Sequence, residues 1–116
     1  MEKTVIKSKD RNKSDIKGAL LMKHHFVVSL IKNGLIGGSL IADADAVTYH
    51  TGKRTIPQEY RNLTMQYSEI SAVKKDSLLF LPTVTFILRN GSEYKFVVFF
   101  GRTRLMDILT QKGVQA

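Results

Sequence analysis

Val84-Thr85-Phe86-Ile87-Leu88-Arg89-Asn90-Gly91-Ser92-Glu93-Tyr94-Lys95-Phe96-Val97-Val98-Phe99-Phe100-Gly101-Arg102 is the stretch that decides how this chain is read. Val84, Phe86 and Leu88 alternate with Thr83, Thr85 and Arg89, which makes one face of a strand apolar. Asn90-Gly91 then marks a hairpin, because both residues tolerate the positive φ that a type I′ turn demands. Phe96, Val98 and Phe100 answer from the return strand. That strand runs straight into Gly101-Arg102 and a helical stripe, Leu105, Ile108 and Leu109, with Gly113 as its terminator. Strands come first and one amphipathic helix comes last.

Upstream, Pro82 ends the apolar run Leu78–Leu81 and cannot donate to a central ladder, so that run is predicted to be a connection or an edge. Ile70 and Val73 anchor a short strand over Ser71–Lys75, and Leu63-Thr64-Met65-Gln66 alternates as another. Thr51–Asn62 carries Gly52, Pro57 and six charged or amide side chains, and reads as a loop. Two strands near 35–43 and 46–51 put Leu40, Ala42, Val47 and Tyr49 on one inner face, joined by the turn Asp43-Ala44-Asp45. The β-branched run Phe26–Ile31 favours a further strand with Asn33-Gly34 as its turn, a helix over 18–31 being the alternative. The expected fold class is therefore mainly β: about seven antiparallel strands in a bent, partly open barrel, capped by one C-terminal helix. The Leu105/Ile108/Leu109 stripe covers the apolar corner that two short sheets leave open.

At 116 residues the chain is one domain, and its lack of cysteine removes disulfides, thiolate catalysis and cysteine-based zinc sites. Eighteen basic against ten acidic side chains give +8. Over residues 1–17, six basic (Lys3, Lys7, Lys9, Arg11, Lys13, Lys17) less three acidic (Glu2, Asp10, Asp15) leave +3, and the rest carries +5. Residues 1–17 are expected to be a flexible basic leader and 18–113 the folded domain. The stretch Phe26–Ala42 holds Lys32-Asn33 and three glycines and falls short of the ~20 apolar residues of a spanning helix. No apolar run follows the early lysines as in a signal peptide. The expectation is a cytoplasmic protein, at most peripheral at a membrane.

The order of these segments resembles a GRAM domain of the PH-like superfamily, of the bacterial single-domain type, over roughly residues 18 to 113. Gly37-Gly38-Ser39-Leu40-Ile41-Ala42 followed by Asp43-Ala44-Asp45-Ala46-Val47-Thr48-Tyr49 resembles the family's Gly-Gly, Leu-x-Leu and turn pattern. Tyr67-Ser68-Glu69-Ile70-Ser71-Ala72-Val73 resembles its acidic-Ile-x-x-Val element, and Phe96–Arg102 its last strand entering the helix. Ala46 stands where the family has a basic turn residue, with Asp43 and Ala44 in place of its Thr and Asn. The alternating Lys/Arg cluster by which many PH domains grip phosphoinositide headgroups is replaced by Lys32-Asn33-Gly34. The resemblance implies a PH-like architecture and a binding or assembly module.

No catalytic constellation and no cofactor site emerges from the residues, so an enzyme is not expected. His24-His25 would point to opposite faces of a strand and cannot share one metal ion. Asp43 and Asp45 suit a turn's own backbone hydrogen bonds better than a cation. His50 lacks an identifiable nucleophile or carboxylate partner.

Three features are candidates for binding. Outward-pointing Ile87, Val97 and Phe99 form a face for a protein partner or a second copy. Leu78-Leu79-Phe80-Leu81 beside Lys74 and Lys75 suits an anionic membrane, though folding back onto the barrel or meeting a second subunit is the plainer expectation for so much apolar surface. Lys53, Arg54 and Arg61 make an anion patch. Nucleic acid is not expected, since no aromatic interleaves with that patch before Tyr60 and the helix commits its apolar face to the core. The sequence places a docking module whose principal face is the last hairpin, with membrane binding through Leu78–Leu81 as the alternative.

Overall fold

The structure, a computed structural model, describes residues 23–116. The expected leader over 1–17 and the run Ala19–Met22 lie outside them. Seven strands follow in chain order: β1 (His24–Ile31), β2 (Leu35–Ala42), β3 (Ala46–His50), β4 (Asn62–Gln66), β5 (Ile70–Leu78), β6 (Leu81–Leu88) and β7 (Glu93–Val98). A single-turn helix α1 (Gln58–Arg61) interrupts the expected loop, and helix α2 (Arg102–Gln111) closes the fold. The strands form one antiparallel sheet in the order β4-β3-β2-β1-β7-β6-β5, curled into a half-barrel with β4 and β5 as its two edges. The expected fold class is the observed one. β1 is a strand throughout, which settles the helix alternative over 18–31 for residues 24–31.

Alternation puts the core where the sequence placed it. Phe26, Val28 and Leu30 from β1 meet Leu40, Ala42, Val47 and Tyr49 from β2 and β3, with Ile70, Val73, Val84, Phe86, Phe96 and Val98 from the far side. Leu105, Met106, Ile108 and Leu109 of α2 complete this cluster, so the helix stoppers the curled sheet from its inner side. Tyr49 is fully buried, and its hydroxyl donates to the Ile36 carbonyl at 2.6 Å, which satisfies a polar group inside an apolar core. The helix ends in a Schellman motif: Gly113, at φ 85°, donates to the Thr110 carbonyl while Val114 donates to that of Leu109. The tail then turns back, and the Gln115 carbonyl accepts the Val73 amide at 2.8 Å on the open edge of β5.

Two local expectations are corrected, and the reading of the run before Pro82 holds. The Asn90-Gly91 hairpin is present, but only Gly91 has positive φ (91°), and its amide donates to the Leu88 carbonyl. This is a type I turn followed by a left-handed glycine; Asn90 instead uses its side-chain oxygen to accept the Ser92 amide. The run Leu78–Leu81 ahead of Pro82 is the expected connection at an edge, with Leu79 and Phe80 as the turn out of edge strand β5, and Pro82 follows it. Pro82 lies within β6, paired with Ser77, where the ladder to β7 has not yet begun, since that ladder opens at Thr83↔Val97. A missing amide costs nothing there. Phe100 is not a core residue: β7 stops at Val98, Gly101 redirects the chain at φ 81°, and Phe100 is left 77% exposed.

Gly38 in β2 is a close-approach position. A Cβ there would meet the His50 carbonyl oxygen and come within 2.8 Å of the Tyr49 ring. Gly38→Ala should cost about 1–3 kcal/mol of overpacking. A thermal melt should show this as a midpoint lower by roughly 5–15 °C, and an unchanged midpoint would refute the contact.

Candidate functional site

The strongest unsatisfied feature is the hairpin joining β5 to β6. Its strands stay paired to the very end, Leu78↔Leu81, so the turn consists of Leu79 and Phe80 alone. Leu79 is 87% exposed and Phe80 completely exposed. The expectation that this run folds back onto the barrel is overturned. A two-residue turn leaves no slack to bring the side chains home, and the paired stem holds them outward. Leu79 sits at φ 57°, a region that large side chains rarely adopt and where glycine is the ordinary choice.

The stem carries charge in a definite pattern. Lys74 pairs with Thr85 and Lys75 with Val84, so the two exposed lysines project from opposite faces of the ribbon. Lys75 stands four residues behind Leu79, ~13 Å along a strand. The Arg102 guanidinium clasps the base of the stem, with Nη1 donating to the Asp76 carbonyl at 2.8 Å and the Thr83 carbonyl at 3.3 Å. Asp76 and Thr83 face each other across the ladder, so one arginine from α2 pins both strands where they leave the barrel. Leu78, half-buried Leu81 and Phe100, which leaves β7 at the same end of the sheet, add to the apolar surface.

The left-handed leucine makes a separable test. Leu79→Gly should remove a local strain of about 1–2 kcal/mol. The variant should therefore melt higher while losing a large exposed side chain. A lower melting temperature would mean that the turn draws support from contacts of Leu79 itself.

The other expected sites divide differently. Ile87, Val97 and Phe99 do point away from the core, as alternation requires, yet they do not form an open face. Val97 is wholly buried, and Ile87 and Phe99 are half-buried. The anion patch is only partly assembled, since Arg54 and Arg61 stay together and Lys53 lines a different cleft. The Arg61 guanidinium is spent inside the loop, donating to the carbonyls of Ile56 at 3.1 Å and Arg54 at 3.2 Å. Arg54 and Arg61 nonetheless line one shallow depression together with His50, Gln58 and Asn62. Lys53 instead faces Lys32 across a cleft of about 370 Å³ at the opposite end of the sheet from the β5–β6 tip, floored by Ile36, Ile56 and Tyr60. Lys32, which lies outside the expected patch, stands 4.8 Å from the centre of the Tyr60 ring, and its contact with Tyr60 raises its pKa.

At the acidic turn, Asp43 Oδ1 accepts the amides of Asp45 and Ala46, both at 3.0 Å, which is the turn role. The Tyr67 hydroxyl donates to the Asp43 carbonyl at 2.8 Å, and burial, with Asp43 and Asp45 alongside, pushes that phenol up to about 12. His25 is exposed and His24 half-buried. Among the described residues, no group of three or more His, Cys, Asp or Glu is placed to hold a metal ion, and no helix is long and apolar enough to cross a membrane.

No family model matches this chain, and no curated protein matches it. Its fold is shared with a solved structure, the C-terminal domain of an unknown protein from Leishmania infantum. The likeness has a TM-score of 0.65 at 13% identity and covers 87% of this chain and 92% of that one. At that identity the similarity speaks for the fold alone.

Proposed function

We propose that this chain is a non-enzymatic, cytoplasmic binding module that docks on anionic membrane surfaces through the β5–β6 tip. The observation that carries this reading is the complete exposure of Phe80 on a rigidly paired ribbon, with a lysine on either face behind it. An apolar tip gains by leaving water, at about 1.5–3 kcal/mol for each fully buried Leu or Phe side chain. Lysines near an anionic surface add about 1 kcal/mol each. Penetration of the tip by ~5–10 Å sets the flexible stems of Lys74 and Lys75 within reach of the phosphate layer. The chain's net charge of +8 favours an anionic surface over a neutral one.

Docking of a protein or of a second copy through Ile87, Val97 and Phe99 lacks an open surface, because Val97 is already covered. The GRAM resemblance implies a docking and assembly role in general terms, with which a contact at the tip is compatible.

Co-sedimentation with vesicles tests the proposal. Vesicles of mixed phosphatidylserine and phosphatidylcholine should pull the protein down at low salt, and phosphatidylcholine alone should do so far less. Raising the salt should weaken the binding, since the screening length falls from about 10 Å at 0.1 M to about 3 Å at 1 M. Failure to sediment with the anionic vesicles at low salt removes the membrane reading.

A further inference from the structure

Asn-Gly occurs at two turns of the fold, as Asn33-Gly34 between β1 and β2 and as Asn90-Gly91 between β6 and β7. The dipeptide carries a reaction of its own, one source of the thermal lability of asparagine. The glycine amide nitrogen attacks the asparagine side-chain carbonyl carbon, its approach unhindered because glycine has no Cβ. A new carbon–nitrogen bond closes a cyclic succinimide, the bond to the side-chain nitrogen breaks, and ammonia leaves with the proton of the backbone amide. Water then opens the ring at either carbonyl, giving aspartate or its β-linked isomer, isoaspartate. Both products have a carboxylate where the amide stood. Water is the only co-reactant, so the rate is set by how freely the amide and the side chain can meet.

The structure separates these two identical dipeptides. At the second turn both reacting groups are held: the Gly91 amide donates to the Leu88 carbonyl at 3.0 Å, and Asn90 Oδ1 accepts the Ser92 amide at 2.9 Å. At the first turn neither is. Among the described residues, nothing accepts a hydrogen bond from the Gly34 amide and nothing pairs with the Asn33 side chain; only the Gly34 carbonyl is engaged, by the Lys32 amide at 2.9 Å. Asn33 and Gly34 are both exposed, so water reaches them. Space does not distinguish the turns, since a Cβ added at Gly34 or at Gly91 would meet nothing within 4 Å. Hydrogen bonding does.

We propose that Asn33 is a site of spontaneous deamidation in this protein, while Asn90, with the same sequence signature, is protected by the hydrogen bonds of its turn. Breaking two hydrogen bonds before attack should make Asn90 slower than Asn33 by at least about fivefold. The product has a consequence for its surroundings. Asn33 lines the cleft that Lys32 and Lys53 share, so its conversion sets a carboxylate between two lysines. One added negative charge takes the net charge from +8 to +7, and the cleft loses cationic character as the molecule ages. This turn lies at the end of the sheet remote from the β5–β6 tip, and the inference stands whether or not the tip meets a membrane.

Ageing the full-length protein in mildly alkaline buffer tests the assignment. Samples taken over time are digested with pepsin in acid, which halts the reaction, and the peptides carrying positions 33 and 90 are followed by mass spectrometry. Position 33 should gain the mass difference between an amide and an acid at least about fivefold faster than position 90. The aged peptide holding position 33 should also accept a labelled methyl group from an isoaspartyl methyltransferase, the mark of the β-linked product. A parallel incubation in guanidinium chloride removes both turns, and there the two positions should convert at similar rates. Equal rates in the folded protein, faster conversion at position 90, or a position 33 that stays intact while the unfolded chain reacts would each overturn the proposal. So would a rate difference that persists in denaturant, since the turns would then not be its cause.

Discussion

Phe80→Asp should abolish sedimentation with anionic vesicles while leaving the thermal midpoint within a degree or two of the parent. The side chain touches nothing in the fold, so the substitution removes no packing. At the membrane it forfeits the transfer of a phenyl ring, about 2 kcal/mol or more, and places a carboxylate against lipid phosphates. Each 1.4 kcal/mol is a factor of ten, so the partition coefficient should fall at least ~30-fold. Phe99→Asp is the matched control, because it changes an aromatic residue outside the tip. If Phe80→Asp binds vesicles as the parent does, the tip is not the contact. Sedimentation lost equally in both variants would point to general electrostatics instead.

Phe96→Ala should have the largest effect on stability. The ring is fully buried at the centre of the half-barrel, 5.2 Å from the Tyr49 ring centre and 5.7 Å, edge-on, from that of Phe86. Truncating a core phenylalanine costs about 3–5 kcal/mol, because the cavity left behind collapses only in part. Ring-on-ring attraction, which Phe96 supplies to both neighbours, disappears with it and adds to this cost. Set against a total stability of about 5–15 kcal/mol, that is a large share. Urea titration should show the midpoint falling accordingly, and Phe80→Ala should leave it in place. A small effect at position 96 would mean that the three rings do not form one packed cluster.

These two phenylalanines also show what was legible in the sequence. Phe96 sits in an alternating strand whose partner faces, Val84 and Phe86 on one side and Val28 and Leu30 on the other, alternate in the same way. Period alone assigns all of them to the interior. The helix stripe at Leu105, Ile108 and Leu109 was legible for the same reason, as was the stop at Gly113.

Phe80 was harder, since the turn at Leu79-Phe80 carries none of the Gly, Asn, Asp or Pro residues that announce a reversal. Nothing local says that both strands persist to Leu78 and Leu81. Pro82 even argued against it, because its harmless position depends on where the β7 ladder begins. Phe100 falls outside the core because a left-handed Gly101 ends the alternation two residues early. Val97 shows a different limit. Alternation fixes which face of a sheet a residue occupies, but it does not say whether that face is covered, and Val97 on the outer face is fully buried. In the anion patch, the Arg61 guanidinium turns inward to loop carbonyls, which only coordinates reveal.

The grip of Arg102 on both strands at the root of the β5–β6 ribbon gives that ribbon a mechanical character. A loop would absorb whatever seized its end. A paired two-stranded arm, pinned at its fulcrum by the first residue of the plugging helix, passes any pull directly to that helix. Capture at the far end is therefore felt by the residue that begins the closure of the barrel.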